Sequence, residues 1–551
     1  MIGTRYTQEL INDYIKRGYW HPTMLISDLV DQSARDYPDD EAVIDSKTRL
    51  TWKEVSQQVD RLARGLIDAG FERDDVVATQ LPNSVEYFLL FFACEKAGVI
   101  MATTQHTFRQ AEMEPILRQT EAKGLIITSK FRDFDYYKMI QELRPNLPSL
   151  EKLIMVGDGV PDGTISMTEL MQRDLEDKYP PEYLQKIRFK PYEVTRIFNT
   201  SGTTGTPKCI ERPVAPRILA GKTLTERMKI THDDIIMASW NLGAGVTLFM
   251  TQISSPLTGA KLITLEHFTP QTACEVIEKE KVSVLTLVPA QMAQLMNYPD
   301  LGKHDLSSLR VIFTGTQFLI PELGAQVEEK MGCPIVIVYG AGDTSSISST
   351  SIDDTQDVRL KTVGCLMEGN EAEIVDDDGN PLPNGEIGEV RVTGPNLVSG
   401  YFGNPEMTGQ IWHTGWYGTG DAGKIDENGH LVLMGRKRDV INRGGQNIYP
   451  VEIEELLMQH PKVNYVAIVR MPDPVMVEKQ CAYVIPKRGE TFSTEEMVSF
   501  LKSKKVASYK LPERLEIVAE FPLVAAGIKV DKMRLEEDIA NKLRQEAQQQ
   551  S

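Results

Sequence analysis

Residues 260–288 read AKLITLEHFTPQTACEVIEKEKVSVLTLV. The outer runs AKLITL and VSVLTLV are apolar and β-rich, and PQTACEVIEKEK between them has helical spacing behind a proline suited to a first turn. The alternation continues with PAQMAQLMN as helix, LRVIFTG as strand and, after another helix, CPIVIVYG as strand. Short buried strands separated by helices predict a parallel sheet with helices on its faces. Ligands on such sheets bind outside the carboxyl ends of the strands. FTGT (residues 313–316) and VYGAGD (338–343), read as loops leaving two strands, are therefore expected to wall a site.

The pattern extends in both directions. Upstream, TWKEVSQQVDRLARGLIDAG opens on a capping box of Thr51 and Glu54, repeats Val55, Val59, Leu62, Leu66 and Ile67 at helical spacing, and ends at Gly70. Downstream, AEIVDDDGNPL and GEIGEVRVTG read as short strands with Gly and Asp turns, a small β subdomain at about 365–435. Asp376, Asp377 and Asp378 are read there as a hairpin turn, not a metal site. After GRKRD (435–439) a new pattern begins, with a helix from Pro450, strands NYVAIV and CAYVIP, and the helix TEEMVSFLKSKK. The remaining stretch, about 110 residues, suffices for a small separate domain. The last residues, RQEAQQQS, read as a frayed polar end, and no internal repeat is visible.

Composition bounds the function. The chain has 551 residues, 41% apolar and 25% charged, more than one compact core requires. A formal charge of −18 argues against nucleic acid and anionic membranes as partners. Six scattered cysteines suggest neither a disulfide framework nor a zinc set. The longest apolar run, YFLLFFAC, has eight residues, and the N-terminal stretch lacks a signal peptide's continuous apolar core. A soluble, cytoplasmic protein is expected.

The segment NTSGTTGTPK (199–208) combines hydroxyls, glycines whose backbone N–H groups can approach closely, and a terminal lysine, the parts needed to wrap a polyphosphate. Its spacing differs from a Walker A loop, and a plain surface loop is the alternative from these residues alone. Further segments sharpen the choice. GWYGTGDAGKIDENGHL and GRKRDVINRGGQNIYPVEIEELL accompany it in order, and with them the chain, from about residue 20 to 540, resembles the adenylate-forming superfamily of acyl- and aryl-CoA synthetases, luciferases and nonribosomal-peptide adenylation domains. VYGAGD stands where that family usually has Tyr-Gly-x-Thr-Glu.

The resemblance implies an α/β fold: a large N-terminal domain, residues 1–437, of parallel and mixed sheets flanked by helices, including the β subdomain, and a small mobile α+β domain, 438–551. It also implies two half-reactions. A carboxylate attacks the α-phosphate of ATP to give an acyl-adenylate and pyrophosphate, and a thiol then displaces AMP. Two unit charges about 4 Å apart at an effective dielectric near 20 repel by about 4 kcal/mol, so the first step needs a cation aimed at the gap.

Roles implied by the resemblance fall on definite positions. Thr200, Ser201, Gly202, Thr203, Thr204, Gly205 and Lys208 would hold the β- and γ-phosphates. Asp421 would accept the ribose hydroxyls beside Arg436, and Gly315, Thr316, Gln317, Tyr339, Gly340 and Ala341 would flank the adenine and acyl groups. Asp343, one methylene shorter than the usual glutamate and preceded by Gly342, would hold Mg2+. Arg438 would be the hinge, and Gly444 and Gly445 the path of a pantetheine arm. Near the C-terminus the family has a Gly-Lys pair; here Ile528 separates Gly527 from Lys529, which the following VDKMRL places at the catalytic position. Lys532 is then a solvated charge starting the closing helix.

KRGYWHP, INRGGQN and SYKLPERLE resemble especially the stand-alone dihydroxybenzoate-activating branch. Trp240 and Asn241 in MASWNLGAG stand about where that branch has its acyl pocket, although its usual proline and histidine are missing. A core tryptophan with a capping asparagine is the structural alternative. An aromatic or cyclic acid is expected. QNIYPVEIEE resembles the CoA ligases more, and no carrier domain follows the lysine segment, so coenzyme A is the expected acceptor. The alternatives are a separate carrier protein and a nucleotide-binding homologue of weak catalysis, and a homodimer is left open.

Overall fold

The 260–288 segment folds as a strand Lys261–Thr264, a helix Pro270–Glu280 and a strand Val284–Thr286. Thr269 caps the helix by accepting from the Thr272 N–H, Pro270 sits in its first turn, and Lys281 ends it at φ +56°. The computed structural model describes residues 1–551 apart from 201–206, 244, 246, 445, 525–528 and 551, with backbone alone at 200, 524, 529, 547, 549 and 550.

Among the described residues, six parallel strands form the middle of the largest sheet: Ile335–Ala341, Val311–Thr314, Val284–Thr286, Ile235–Ala238, Lys261–Thr264 and Glu41–Ile44. Antiparallel strands close its two edges, Ser345–Ser349 with Cys365–Leu366 at one and Arg49–Thr51 at the other. A second sheet runs Lys208–Pro213, Val194–Thr200, Ile100–Thr103, Val76–Gln80, Gly124–Thr128, Lys152–Val156 and Ile165–Ser166, parallel except for its first pair.

The helix Trp52–Asp68 forms as its spacing predicts. Thr51 and Glu54 cap each other reciprocally, and Val55, Val59, Leu62, Leu66 and Ile67 are buried. Each such side chain contributes about 1.5–3 kcal/mol when fully buried. YFLLFFAC forms the body of the helix Val85–Lys96, which is apolar all round and correspondingly buried on every side. No helix among the described residues is long and apolar enough to cross a membrane.

Glu371–Val375, Gly388–Thr393, Tyr417–Ile425 and Leu431–Arg436 make the small antiparallel sheet. Asp376 forms the expected turn, its Oδ1 accepting from the N–H groups of Asp378 and Asn380. A separate C-terminal domain follows. Its sheet is built on the antiparallel pair Val463–Asp473 and Val477–Pro486, with Arg514–Ile517 added in parallel. One face buries Ile453, Leu457, Met497 and Leu501 from the helices Pro450–Met458 and Thr494–Ser503, and the other takes Leu535 and Ile539.

Two expectations at the C-terminus are corrected. Lys532 opens the last helix, but its Nζ lies 2.7 Å from Glu454 Oε1 with its side chain mostly buried, so it is an interior ion pair and not a solvated charge. The polar end, expected as a frayed tail, is instead helical as far as Gln550, and Arg514 pairs with Glu546 at 2.7 Å.

Candidate active site

The carboxyl ends of the central parallel strands deliver the first wall. Val311–Thr314 runs out into Gly315, Thr316 and Gln317, and Ile235–Ala238 into residues 239–245. VYGAGD differs from the expected exit loop. The strand continues through Tyr339, Gly340 and Ala341 and turns at Gly342 and Asp343 into the antiparallel Ser345–Ser349. Gly340 is required by this return, because a Cβ there would lie 1.9 Å from the Ser345 carbonyl oxygen. Thr316 takes φ +72°, and a Cβ on Gly245 would stand 2.9 Å from its Cγ2, so the two exits touch.

The second sheet brings the phosphate-loop candidates to the same edge. Thr200 and Lys208 are cross-strand partners at the end of the hairpin of Val194–Thr200 and Lys208–Pro213. Ser201, Gly202, Thr203, Thr204 and Gly205 lie outside the described residues. Lys208 Nζ stands 3.5 Å from Asp343 Oδ2, so the second sheet meets the return of the first through an ion pair. Tyr401 donates to the same carboxylate oxygen at 3.4 Å, and the lysine nitrogen lies 5.4 Å from the centre of that ring. Burial, then the negative charge of Asp343, pushes the Tyr401 and Tyr417 phenols up, which keeps both protonated as donors.

The β subdomain supplies the third wall. Asp421 and Arg436 face each other across the pair Tyr417–Ile425 and Leu431–Arg436, with Arg436 Nε 3.1 Å from Asp421 Oδ1. Tyr339 donates to Asp421 Oδ2 at 2.6 Å, and its phenol is pushed far up by burial and then by that carboxylate. Thr419 braces the turn, accepting from the Asp421 N–H at 3.1 Å and donating to the Val390 carbonyl at 2.7 Å. A carboxylate accepts at several lone pairs, so this geometry suits a vicinal diol.

The acyl-pocket candidates divide. Trp240 is half-buried and not a core tryptophan; its carbonyl accepts from Asn83 Nδ2 at 2.8 Å. Asn241 is buried, its Oδ1 accepts from the Gly243 N–H at 2.7 Å, and its Nδ2 has no partner among the described residues. Arg438 lies in the short turn Lys437–Asp439, exposed, and pairs with Asp439 at 3.5 Å. Gly444 takes φ +59°, and a Cβ on it would meet Met476 Cε at 2.7 Å. Gly445, Gly527 and Ile528 lie outside the described residues, as does the side chain of Lys529, whose backbone pairs with Val524. Sequence reasoning missed Tyr401, Tyr417 and Thr419, although the last two lie within GWYGTGD.

The strand exits of the two sheets and the carboxylate Asp421 of the β subdomain are thus linked through Lys208–Asp343 and Tyr339–Asp421. The family model of AMP-binding enzymes matches residues 30–402, and that of their C-terminal domain residues 452–527. The chain belongs to this family. The medium-chain fatty-acid–CoA ligase of Escherichia coli is 30% identical over 97% of this chain and 93% of its own length. The 2,3-dihydroxybenzoate-AMP ligase of Bacillus subtilis is 30% identical over 98% of both. The fold is that of the anthranilate CoA ligase AuaEII, solved with anthranoyl-AMP, at a TM-score of 0.84 and 24% identity over 95% of this chain and 99% of that one.

Proposed function

We propose that the protein is an AMP-forming acid–CoA ligase. One carboxylate oxygen of the acid forms a bond to the α-phosphorus of ATP as the bond to pyrophosphate breaks. The CoA sulfur then bonds to the acyl carbon and AMP leaves. The observation that carries this reading is Asp421, held by Tyr339 and Arg436 beside the strand ends. Both full-length relatives named above are acid-activating ligases.

Residues 200–205 and Lys208 hold the terminal phosphates, and Asp421 takes the ribose diol. Gly315, Thr316, Gln317, Tyr339 and Gly340 flank adenine and the acyl group, with Ala341, Trp240 and Asn241 on the acyl side. Asn241 Nδ2, which has no partner among the described residues, supports a polar acyl group, since a buried donor left unpaired costs about 1–3 kcal/mol. Aromatic and cyclic acids are favoured. Asp343 is a single carboxylate at the phosphate edge, which fits Mg2+, an ion commonly bound by one or two carboxylates plus phosphate oxygens. Bound there, the metal supplies charge neutralisation to the phosphates. Lys529 aims a cation at the α-phosphate and acid. The domain boundary falls at 437/438, with Arg438 as hinge and Gly444 and Gly445 as the thiol's approach.

The test is product analysis with a panel of aryl, cyclohexyl and linear acids, ATP and CoA. Acyl-CoA and AMP in equal amounts with at least one acid are expected. Acyl-adenylate without thioester would instead assign the thiol to a carrier protein, and no nucleotide product with any acid would leave a binding homologue.

A further inference from the structure

Residues 397–402 join the two strand ends that carry Asp343 and Lys208. At one end of this segment Leu397 bridges Ser345, and the Val398 N–H donates to the Thr344 carbonyl at 3.2 Å, just after the turn that holds Asp343. At the other end Tyr401 bridges Ile210, the Glu211 N–H donates to the Gly400 carbonyl at 2.9 Å, and the Phe402 N–H donates to the carbonyl of Cys209, the residue after Lys208, at 2.8 Å. The Tyr401 phenol then reaches Asp343 Oδ2 at 3.4 Å, and Lys208 Nζ stands 3.5 Å from the same oxygen. The segment therefore braces the spacing of Lys208 and Asp343.

Residues 3–6 run along its other side. The Arg5 N–H donates to the Ser399 carbonyl at 2.9 Å, Arg5 Nε to the Val398 carbonyl at 2.7 Å, and the Tyr6 hydroxyl to the Leu397 carbonyl at 3.2 Å. A Cβ on Gly3 would stand 2.3 Å from Ser399 Cβ, so a glycine is what lets the two backbones approach this closely. One side chain pins all three segments together. Glu211 is fully buried, and its carboxylate accepts from neutral donors on both other segments: from the Thr4 N–H at 2.8 Å, from Thr4 Oγ1 at 2.5 Å and from Ser399 Oγ at 2.7 Å. A buried carboxylate is costly unless such donors are kept, so each of them is held in place.

Resting on the acid-activating function proposed above, we infer that Glu211 is a positioning residue for ATP: by clamping Thr4 and Ser399 it holds residues 397–402 so that Lys208 and Asp343 meet the terminal phosphates. It touches no substrate itself. Asp421, proposed for the ribose, is held from a different side by Tyr339 and Arg436. The clamp therefore bears on the polyphosphate and not on the nucleoside, whereas a clamp serving the fold alone would weaken every ligand together. Small displacements of positioned charged groups are enough to lose their interaction with a bound anion.

The experiment measures binding of ATP with Mg2+ and of AMP by titration calorimetry, without acid or CoA, in the native protein and in Glu211→Gln, Thr4→Val and Thr4→Ser. Thr4 is an exposed residue, and Thr4→Val removes one donor at nearly constant shape, so it reports even where Glu211→Gln fails to fold. The expected result is a Kd for ATP raised about tenfold in Glu211→Gln and in Thr4→Val and restored in Thr4→Ser, with the Kd for AMP within about twofold throughout. In a Lys208→Ala background, where the positioned cation is gone, Thr4→Val is expected to add no comparable loss. A lowered thermal midpoint with ATP affinity unchanged, or equal losses for ATP and AMP, would overturn the positioning role, as would a native chain that does not bind ATP. Pyrophosphate exchange with no acid would remove the proposed function alone, because the two nucleotide affinities still report on the clamp.

Discussion

Asp421 pairs with Arg436 and accepts from the Tyr339 phenol, and an ion pair of this kind is weak evidence for stability. Tyr339 and Arg436 fix both oxygens at 2.6 and 3.1 Å, which sets the orientation of the carboxylate for the ribose role proposed above. Asp421→Asn keeps the shape and removes the charge that strengthens those hydrogen bonds. The expected outcome is a KM for ATP raised by about ten- to a hundredfold, or about 1.5–3 kcal/mol, with the KM for CoA little changed. Steady-state kinetics with each substrate varied checks it. The role proposed for Asp421 rests on the family resemblance, since without it an Asp in GTGD reads more readily as a surface charge. Tyr401 was not legible at all, because its contact with Asp343 joins positions 58 residues apart.

At the scale of elements, the helix Pro450–Met458 meets the helix Pro321–Met331 across the two domains, with Gln459 Nε2 donating to Glu322 Oε1 at 2.6 Å. Glu455 on the first helix is pushed up to about 7 by burial, then by Glu322, Glu454 and Glu452; the last two are paired with Lys532 and Lys510. A carboxyl raised in the folded state contributes stability that is fully present below its unfolded pKa, near 4.5, and lost as pH rises through about 7. Glu455→Gln therefore raises the thermal midpoint at pH 8 by about 2–4 °C and leaves it nearly unchanged at pH 5. Equal shifts at both pH values in scanning calorimetry would contradict the assignment.

Elements with one apolar stripe or a short β-rich run, such as Trp52–Asp68 and Val311–Thr314, were legible because burial follows periodicity. The gathering of three arginines around one small cavity was not. Arg196, Arg212 and Arg217 sit on two strands and a helix, and only the pairing of Val194–Thr200 with Lys208–Pro213 and the packing of the helix Val214–Arg227 bring them together. The course of VYGAGD was misjudged for a related reason. Its strand continues because Ser345–Ser349 is available to pair with it.

Across the whole molecule, the two proposed half-reactions call for the C-terminal domain to present a different face in each. The turn Lys437–Asp439 joins the domains, and Lys437 ties it to Glu389 at 3.0 Å and Asp377 at 3.1 Å
. Arg438→Pro restricts φ at the proposed hinge. Thioester formation is expected to fall by about a hundredfold or more while ATP–pyrophosphate exchange stays within a few fold. Equal losses in both steps would show a folding defect instead of a blocked rotation.

Adenylation needs a cation between two anions, and Lys529 is the residue proposed to supply it. The most direct measurement is acid-dependent ATP–pyrophosphate exchange by the native enzyme and by Lys529→Ala, alongside thioester formation from supplied acyl-AMP. Exchange is expected in the native enzyme, a loss of about two to three orders of magnitude in the variant, and thioester formation that persists in both. Equal exchange rates in the two proteins would contradict it.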